Sequence, residues 1–572
     1  MMSPVGQRGV LQCGAPECSR LAAVAPYWSI NAQPVLAMNL TPNLAQLQKE
    51  HVVLELECID RMYLNAYVPK LTSEGGIAAF CRGYLGHQFA STKQAVDMTK
   101  AFVKSIDTFI QRQGLELVRF KKGQRKDDVL KQKLRSFKSS EGVLFVGVAQ
   151  EKVRVPRTTR KRTDSGGTIP WIIYSTAMVN VYYFDCLDQD FGPFFLKFCS
   201  YFPYSAKLCL NGHEYLKCQL AQRGIAFQAL DNGLLSCTDL QAAQRIADGL
   251  SHTKIDAFFR KWLARLPHPY RAQDRKAGYR YDLSVLQAEF SLTQVWDRPL
   301  HGRCFFEEVI RENIDLGRPE QGQLIFARKM QRKTATDGRC RTRIVTEGVV
   351  PSLHVYYKNT HLKQYHKEGR ALRTETTINN TYDFGVGRRL KNLAALRQIG
   401  FAANRRVLEV EQLTHDCHIG AEAFDKLQQP AEVDGQHVSA LPFGQPRVQA
   451  LLTVLLLFCL QPDGFRNRQL RPLLAQFLGL APTQIRPGSM SYDLRRLRLH
   501  GLLERIPNTH RYRLTPLGLK TALFYSRVHQ RLLRPGLSHL LDQRLRLCSP
   551  LAAALTRFQN TLDEYITQQL AA

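Results

Sequence analysis

What this 572-residue chain lacks narrows it first. Long apolar runs are missing. The longest, Leu451 to Leu460 with Thr453 inside it, is about half the ~20 residues a membrane-spanning helix needs. Arg447 and Pro462 bracket that run, so it reads as a buried core helix, and no membrane partner is expected. Paired cysteine spacings are missing too. Fourteen cysteines are scattered without a C-x-x-C knuckle, the usage expected of free thiols in a reducing compartment. The loose group Cys199, Cys209, His213 and Cys218 alternates as a strand does, so zinc is not expected there. Internal repeats are absent, which removes solenoids. Residues 1–37 carry no basic stretch followed by an apolar one, so no secretory signal is read. They are expected to be a flexible extension ahead of Met38, an alternative start, and the protein is expected to be cytoplasmic.

Acidic residues are scarce relative to basic ones. Seventy-nine Lys and Arg face 49 Asp and Glu, a formal net charge of +30. Self-repulsion of that size opposes compaction unless a partner offsets it. The simplest such partner is a polyanion, because each neutralised phosphate releases condensed counterions. A nucleic-acid-binding protein is therefore expected, most simply one for duplex DNA.

What is present is ordinary globular material: hydrophobic residues make up 44% of the chain, enough for several cores. The patterning predicts a multidomain α+β protein. Residues 38–152 read as a helical and β-α-β basic region, with helical spacing over Leu44 to Tyr63 and Gln94 to Gln113. A Thr-, Ser- and Gly-rich basic stretch, Val153 to Gly167, reads as a loop or linker. Residues 168–268 read as a mixed α/β domain and 269–433 as a second α+β region. Asp434 to Gln445 reads as a hinge, 446–534 as a separate C-terminal domain, and 535–572 as a helical tail.

The C-terminal domain has the most specific pattern. Arg447 to Leu460 is a strongly apolar helix and Arg471 to Leu478 a second. A third, capped by Ser489 or Ser491, runs to Leu499 and ends at Gly501. Leu502 to Ile506, the tip Pro507-Asn508-Thr509-His510 and Arg511 to Thr515 form a hairpin, and Pro516 opens a further helix. The run SYDLRRLRLHGLLERIPNTHRYRLTPLG resembles the winged-helix domains of bacterial regulators and mobile-element proteins. That resemblance implies a third helix in the major groove and a wing on the phosphates. Arg495, Arg496 and Arg498 are then groove candidates, and His510, Arg511 and Arg513 wing candidates. Two further basic segments, with Lys121, Lys122, Arg125 and Lys126 in one and Arg160, Lys161 and Arg162 in the other, are candidates for phosphate contacts that position without reading sequence.

Two stretches carry residues suited to phosphodiester chemistry. The order strand, strand, strand, helix, strand over residues 178–232 is similar to the start of an RNase-H-like fold. The resemblance implies Asp185, Glu214 and Asp231 as carboxylates holding Mg²⁺ for in-line phosphoryl transfer. The second stretch, Leu353 to Lys358, Tyr365 and Leu372 to Glu375, resembles rolling-circle replication initiators, although it lacks their His-hydrophobe-His motif. There Tyr357 or Tyr365 would attack the phosphate, with Glu375, His361 and His366 serving a metal. The competing reading is a β-ribbon in which Arg373 and Glu375 pair on one face. Asp127, Asp128, Glu151 and Lys152 are also of the types a restriction-type nuclease site uses. Together these features imply a bacterial mobile-element or defence protein, nuclease- or transposase-like and Mg²⁺-dependent if either centre forms. The competing class is a non-enzymatic winged-helix regulator.

Overall fold

The computed structural model describes residues 43–120, 126–162, 164, 166–313, 340–345, 352–415, 417–461 and 464–533, with helical positions between 556 and 568. The extension 1–37, most of the tail 535–572, and Lys121, Lys122 and Arg125 lie outside the described residues.

Helix α1 (Leu44–His51) leads directly into strand β1 (Val52–Tyr67), followed by α2 (Glu74–Ala79) and α3 (Thr92–Gln113). Next come β2 (Leu117–Arg119), α4 (Lys126–Ser136) and the long strands β3 (Gly142–Arg162) and β4 (Thr168–Asp188). Then follow β5 (Gly192–Cys199), β6 (Ala206–Asn211), α5 (Gly212–Gln222), β7 (Phe227–Leu230), β8 (Gly233–Cys237), α6 (Leu240–Asp248), α7 (His252–Arg265) and α8 (Ala272–Lys276). After β9 (Asp282–Trp296) and α9 (Pro299–Asn313) come β10 (Cys340–Val345), β11 (Ser352–Tyr357), β12 (Thr360–Lys367), β13 (Ala371–Ile378) and α10 (Leu393–His415). The C-terminal part holds α11 (Ala421–Gln428), β14 (Ala431–Val433), β15 (Gln436–Val438), α12 (Pro446–Leu456), α13 (Asn467–Phe477), α14 (Pro487–Leu499), β16 (Leu503–Arg505), β17 (Tyr512–Leu514) and α15 (Pro516–Arg527).

Among the described residues, eleven strands make one sheet in the order β10-β11-β12-β13-β9-β1-β6-β5-β4-β3-β2, and of their pairings only β2–β3 is parallel. The sheet takes strands from all three stretches that the sequence divides into separate regions. Its centre is β1 between β9 and β6, and the β1–β9 pairing spans more than 200 residues of chain. This is an α+β fold. Leu44 to Tyr63, read as one helix, is helical only to His51. Val52 to Ile59 is rich in β-branched and alternating residues, and its pairing with β9 overrides the local helical spacing.

Strand alternation gives the sheet two unlike faces. One is apolar: Phe184, Phe198 and Phe290 on it meet Phe109, Phe102 and Phe401 of α3 and α10. The other carries Tyr183, Asp185, Phe195, Lys197, Tyr63 and Cys209, and, on the far side of β1, Glu289, Arg373, Glu375, Tyr365 and Lys363. A bulge in β1 between Ile59 and Met62 turns Asp60 toward this second face.

A second core unites α12–α15 with Val410 of α10, Leu427 of α11 and Leu441. The stretch read as a hinge is therefore packed. Leu441 is buried, and its backbone N–H donates to the Leu427 carbonyl at 2.7 Å. Among the described residues, no helix is long and apolar enough to cross a membrane.

Candidate nucleic-acid interface

Helix α14 begins at Pro487, with proline at its first position rather than after a serine cap. Met490, Leu494 and Leu497 face the second core, while Arg495 and Arg498 are exposed. Arg496 does not join them. It is buried, its Nε donating to the Ser439 carbonyl at 3.1 Å and its Nη2 to Gln445 at 3.5 Å. The reason is tertiary: residues 439–445 cover the side of α14 that would otherwise be exposed. Asp493 is buried as well and pairs with Arg447 at 2.6 Å.

Hairpin β16–β17 is held by a third short segment, since Phe465 and Tyr512 exchange backbone hydrogen bonds at 2.9 and 2.8 Å. Gly464 precedes it with φ +64°, and a Cβ there would lie 2.5 Å from the Tyr512 carbonyl oxygen, so only glycine fits. On the hairpin, His510 is exposed, Arg511 is half-buried, and Arg513 is exposed but paired with Glu504 at 2.6 Å.

Between this hairpin, the start of α13 and the β11–β12 turn lies an open cleft of about 810 Å³. Lys358, Arg466, Arg468, Arg505, Arg511 and Arg513 line it, against the carboxylates Asp383 and Glu504. Both acids are already engaged, Asp383 by Asn359 at 3.0 Å and Glu504 by Arg513. The first turn of an eleven-residue helix, α13, opens onto the same space, adding the partial positive charge of a helix N-terminus. Arg466, Arg468 and Arg505 are not among the groove or wing candidates that the sequence offers. Only the turn at Gly464 and the hairpin register bring them together.

A second basic element is the β3–β4 ribbon. Beyond Val148 and before Val181 these strands pair only with each other, ending at Arg162 and Thr168. The stretch read as a linker is thus one arm of a two-stranded ribbon. The ribbon is tied to the rest of the fold by Thr158, whose Oγ1 accepts from the Thr92 N–H at 2.7 Å, and by Tyr174, whose hydroxyl donates to Leu71 at 2.6 Å. Toward its end Arg157, Arg160, Lys161 and Arg162 are exposed, with Lys161 over the Trp171 ring at 4.9 Å.

The residues expected to carry chemistry are scattered differently. Asp185 lies on the polar sheet face, where burial pushes its carboxyl up to about 7 despite the Lys126 ammonium nearby. Its neighbours on that face include Tyr183, which Lys126 covers at 3.3 Å, and Lys197, which donates to Glu151 at 2.8 Å. Glu214 pairs with Lys217 at 2.9 Å. Asp231 is exposed, with Lys131 at 3.6 Å. Bringing Asp231 beside Asp185 would require β7 to flank β4, but β7 pairs with β8 in a separate hairpin while β4 lies between β3 and β5. The three carboxylates therefore do not gather as the RNase-H-like reading expected.

On the other side of β1, Tyr365 donates to Glu375 at 2.8 Å, and Arg373 meets Glu375 at 2.9 Å on the same strand face. Tyr357 is buried on the opposite face against Phe384, and His366 packs on Phe306, so neither joins Tyr365. His361 shares the polar face but stacks with Tyr356 at 4.6 Å and His354 at 5.1 Å. The Arg373–Glu375 contact is the same-face pair that the competing β-ribbon reading expected; the partners of Arg373 beyond its own strand were not expected from the sequence. Arg373 is fully buried and reaches Asp60 at 2.7 Å and His213 at 2.6 Å. Burial pushes the Tyr365 hydroxyl up, with the Glu375 charge adding to it, which opposes its use as a nucleophile.

Compared with known protein families, curated proteins and solved structures, the chain matches none.

Proposed function

We propose that this protein binds double-stranded nucleic acid, most simply DNA, through its C-terminal helices and hairpin acting as a winged helix. The observation that carries the reading is the 810 Å³ cleft, which six cationic side chains line against two acids, Glu504 paired with Arg513 and Asp383 hydrogen-bonded to Asn359. A fixed surplus of guanidinium groups beside a helix N-terminus is what a phosphate backbone requires. Arg495 and Arg498 on α14 and His510 on the hairpin are exposed, as a groove helix and wing require. The basic β3–β4 ribbon supplies a second contact, since two-stranded ribbons also enter the major groove. The reading is one of binding, without metal-dependent cleavage at Asp185, Glu214 and Asp231.

The test uses the full chain and a labelled duplex, with affinity followed across salt concentration. Affinity should fall steeply with salt. Arg466→Ala/Arg468→Ala should weaken binding and shallow the salt slope by about one unit for each phosphate no longer neutralised. Unchanged affinity and slope in a folded double variant would overturn the assignment.

A further inference from the structure

Where α1, β9 and α9 meet, three side chains from three parts of the fold converge. His51 ends α1, Asp297 follows β9, and His301 stands in the first turn of α9. The Nδ1 atoms of His51 and His301 lie 3.0 and 2.7 Å from different oxygens of the Asp297 carboxylate. The two imidazole rings are 3.8 Å apart between centroids. One ligand atom from each residue lies within 4.8 Å of the others, the one such group of three among the described His, Cys, Asp and Glu residues.

The main chain holds this arrangement. The Asp297 N–H donates to the His51 carbonyl at 2.8 Å, and the Arg298 N–H donates to the Asp297 carboxylate at 2.6 Å. Behind it, Gly302 sits so close to Trp296 that a Cβ would lie 2.8 Å from the indole, which fixes the first turn of α9. Trp296 and Phe305 belong to an apolar cluster with Leu44 and Leu47 of α1. In front, both histidines are half-buried and Asp297 is exposed, so an ion and a water molecule have access.

We infer that His51, Asp297 and His301 form a site for a divalent transition-metal ion of the zinc type. Two imidazole nitrogens and one carboxylate oxygen are a donor set such ions take, with solvent in the open position. Donors each ~2.0–2.2 Å from one ion stand roughly 3–3.5 Å apart, so the two histidine–carboxylate distances of 3.0 and 2.7 Å need to open by only tenths of an ångström, and the two ring nitrogens already lie within the 4.8 Å that bounds the group. Without metal, each ring donates Nδ1–H to the carboxylate. With metal, each neutral ring carries its proton on Nε2, facing outward, and the ion replaces the two N–H protons between ring and carboxylate. The bound ion ties the helix before β1 to the strand and helix that follow the sheet centre.

The experiment takes the full chain, stripped of metal by a chelator, and titrates it with Zn²⁺ by calorimetry and with Co²⁺ by visible absorption. The native chain should bind one ion at this site, melt at a higher temperature with it, and give cobalt d–d bands of nitrogen and oxygen ligation. His51→Ala/His301→Ala should lose that ion and the rise in melting temperature. Asp297→Asn keeps the shape of the site and guards against misfolding of the double variant; it should weaken binding at least tenfold with unchanged circular dichroism. Equal stoichiometry and affinity in native and variant chains, or a cobalt spectrum of thiolate ligation only, would overturn the site.

Discussion

Single side chains in this protein often play parts that differ from what their type suggests. Glu411 is an acid on α10, yet it is 2% exposed, and burial pushes its carboxyl up to about 8, although Gln364 donates to it at 3.0 Å. Its ordinary value is 4.5, so between that pH and about 8 the native state binds a proton that the unfolded chain has lost. Stability from this group is full below the ordinary value and drains away as pH rises through about 8. Asp185 and Glu289, both raised to about 7 chiefly by burial, act in the same direction. Glu411→Gln should therefore melt above the native chain at pH 8, with a smaller loss between pH 5 and pH 8; thermal melts across that range measure it. Arg496 makes a second case. Arg496→Ala should cost about 1–3 kcal/mol of stability by removing the buried guanidinium's bonds to the Ser439 carbonyl and Gln445, with His500 left as the carbonyl's partner, while duplex affinity per folded molecule stays within about twofold. Arg495→Ala and Arg498→Ala should do the reverse, and paired denaturation and binding titrations separate the two patterns.

Elements were readable where their signals are local. Helix α3 has helical spacing, a Ser91 capping box and Gly114 at its end, so its limits follow from nearby residues alone. Hairpin β16–β17 is bounded by Gly501 and Pro516 and turns at Asn508, which adopts φ 57°. The β3–β4 ribbon was not readable, because basic, Thr- and Ser-rich residues resemble a loop until a partner strand satisfies their backbone groups. The boundary of the C-terminal part was also hidden. Its core takes in Val410 and Leu427, Arg406 donates to the Cys459 carbonyl at 2.8 Å, and Gln428 donates to the Tyr525 hydroxyl at 2.6 Å. A fragment of residues 440–572 cuts through those contacts. It should melt well below a fragment beginning at 393 or fail to melt cooperatively, and calorimetry of the two decides this.

At the scale of the whole molecule, the sheet is joined through buried charge. Arg373 links β13 to Asp60 on β1, His213 on α5 and the loop at Asn232, residues far apart in sequence. The Arg373 charge holds Asp60 down against the effect of burial, to about 2, while burial raises Glu375 and Glu289 nearby. Removing one partner of such a cluster leaves uncompensated buried charge, at a cost of about 3–5 kcal/mol. Arg373→Met should lose that much in urea denaturation, and Arg373→Met with Asp60→Asn should recover part of it; additive losses would show that the two side chains do not act as a pair.

The sequence alone determined the class of surface this protein presents. A net charge of +30 and the order of helices and hairpin near the C-terminus are properties of composition and of short windows. Tertiary structure decided which residues meet. Arg466, Arg468 and Arg505 line one cleft, His51 stands beside Asp297 and His301, and Asp231 stays away from Asp185. The physical reason is that strand pairing is non-local: β1 finds β9 and β6 by burying complementary faces, and nothing in the neighbouring sequence specifies which distant strand will do so.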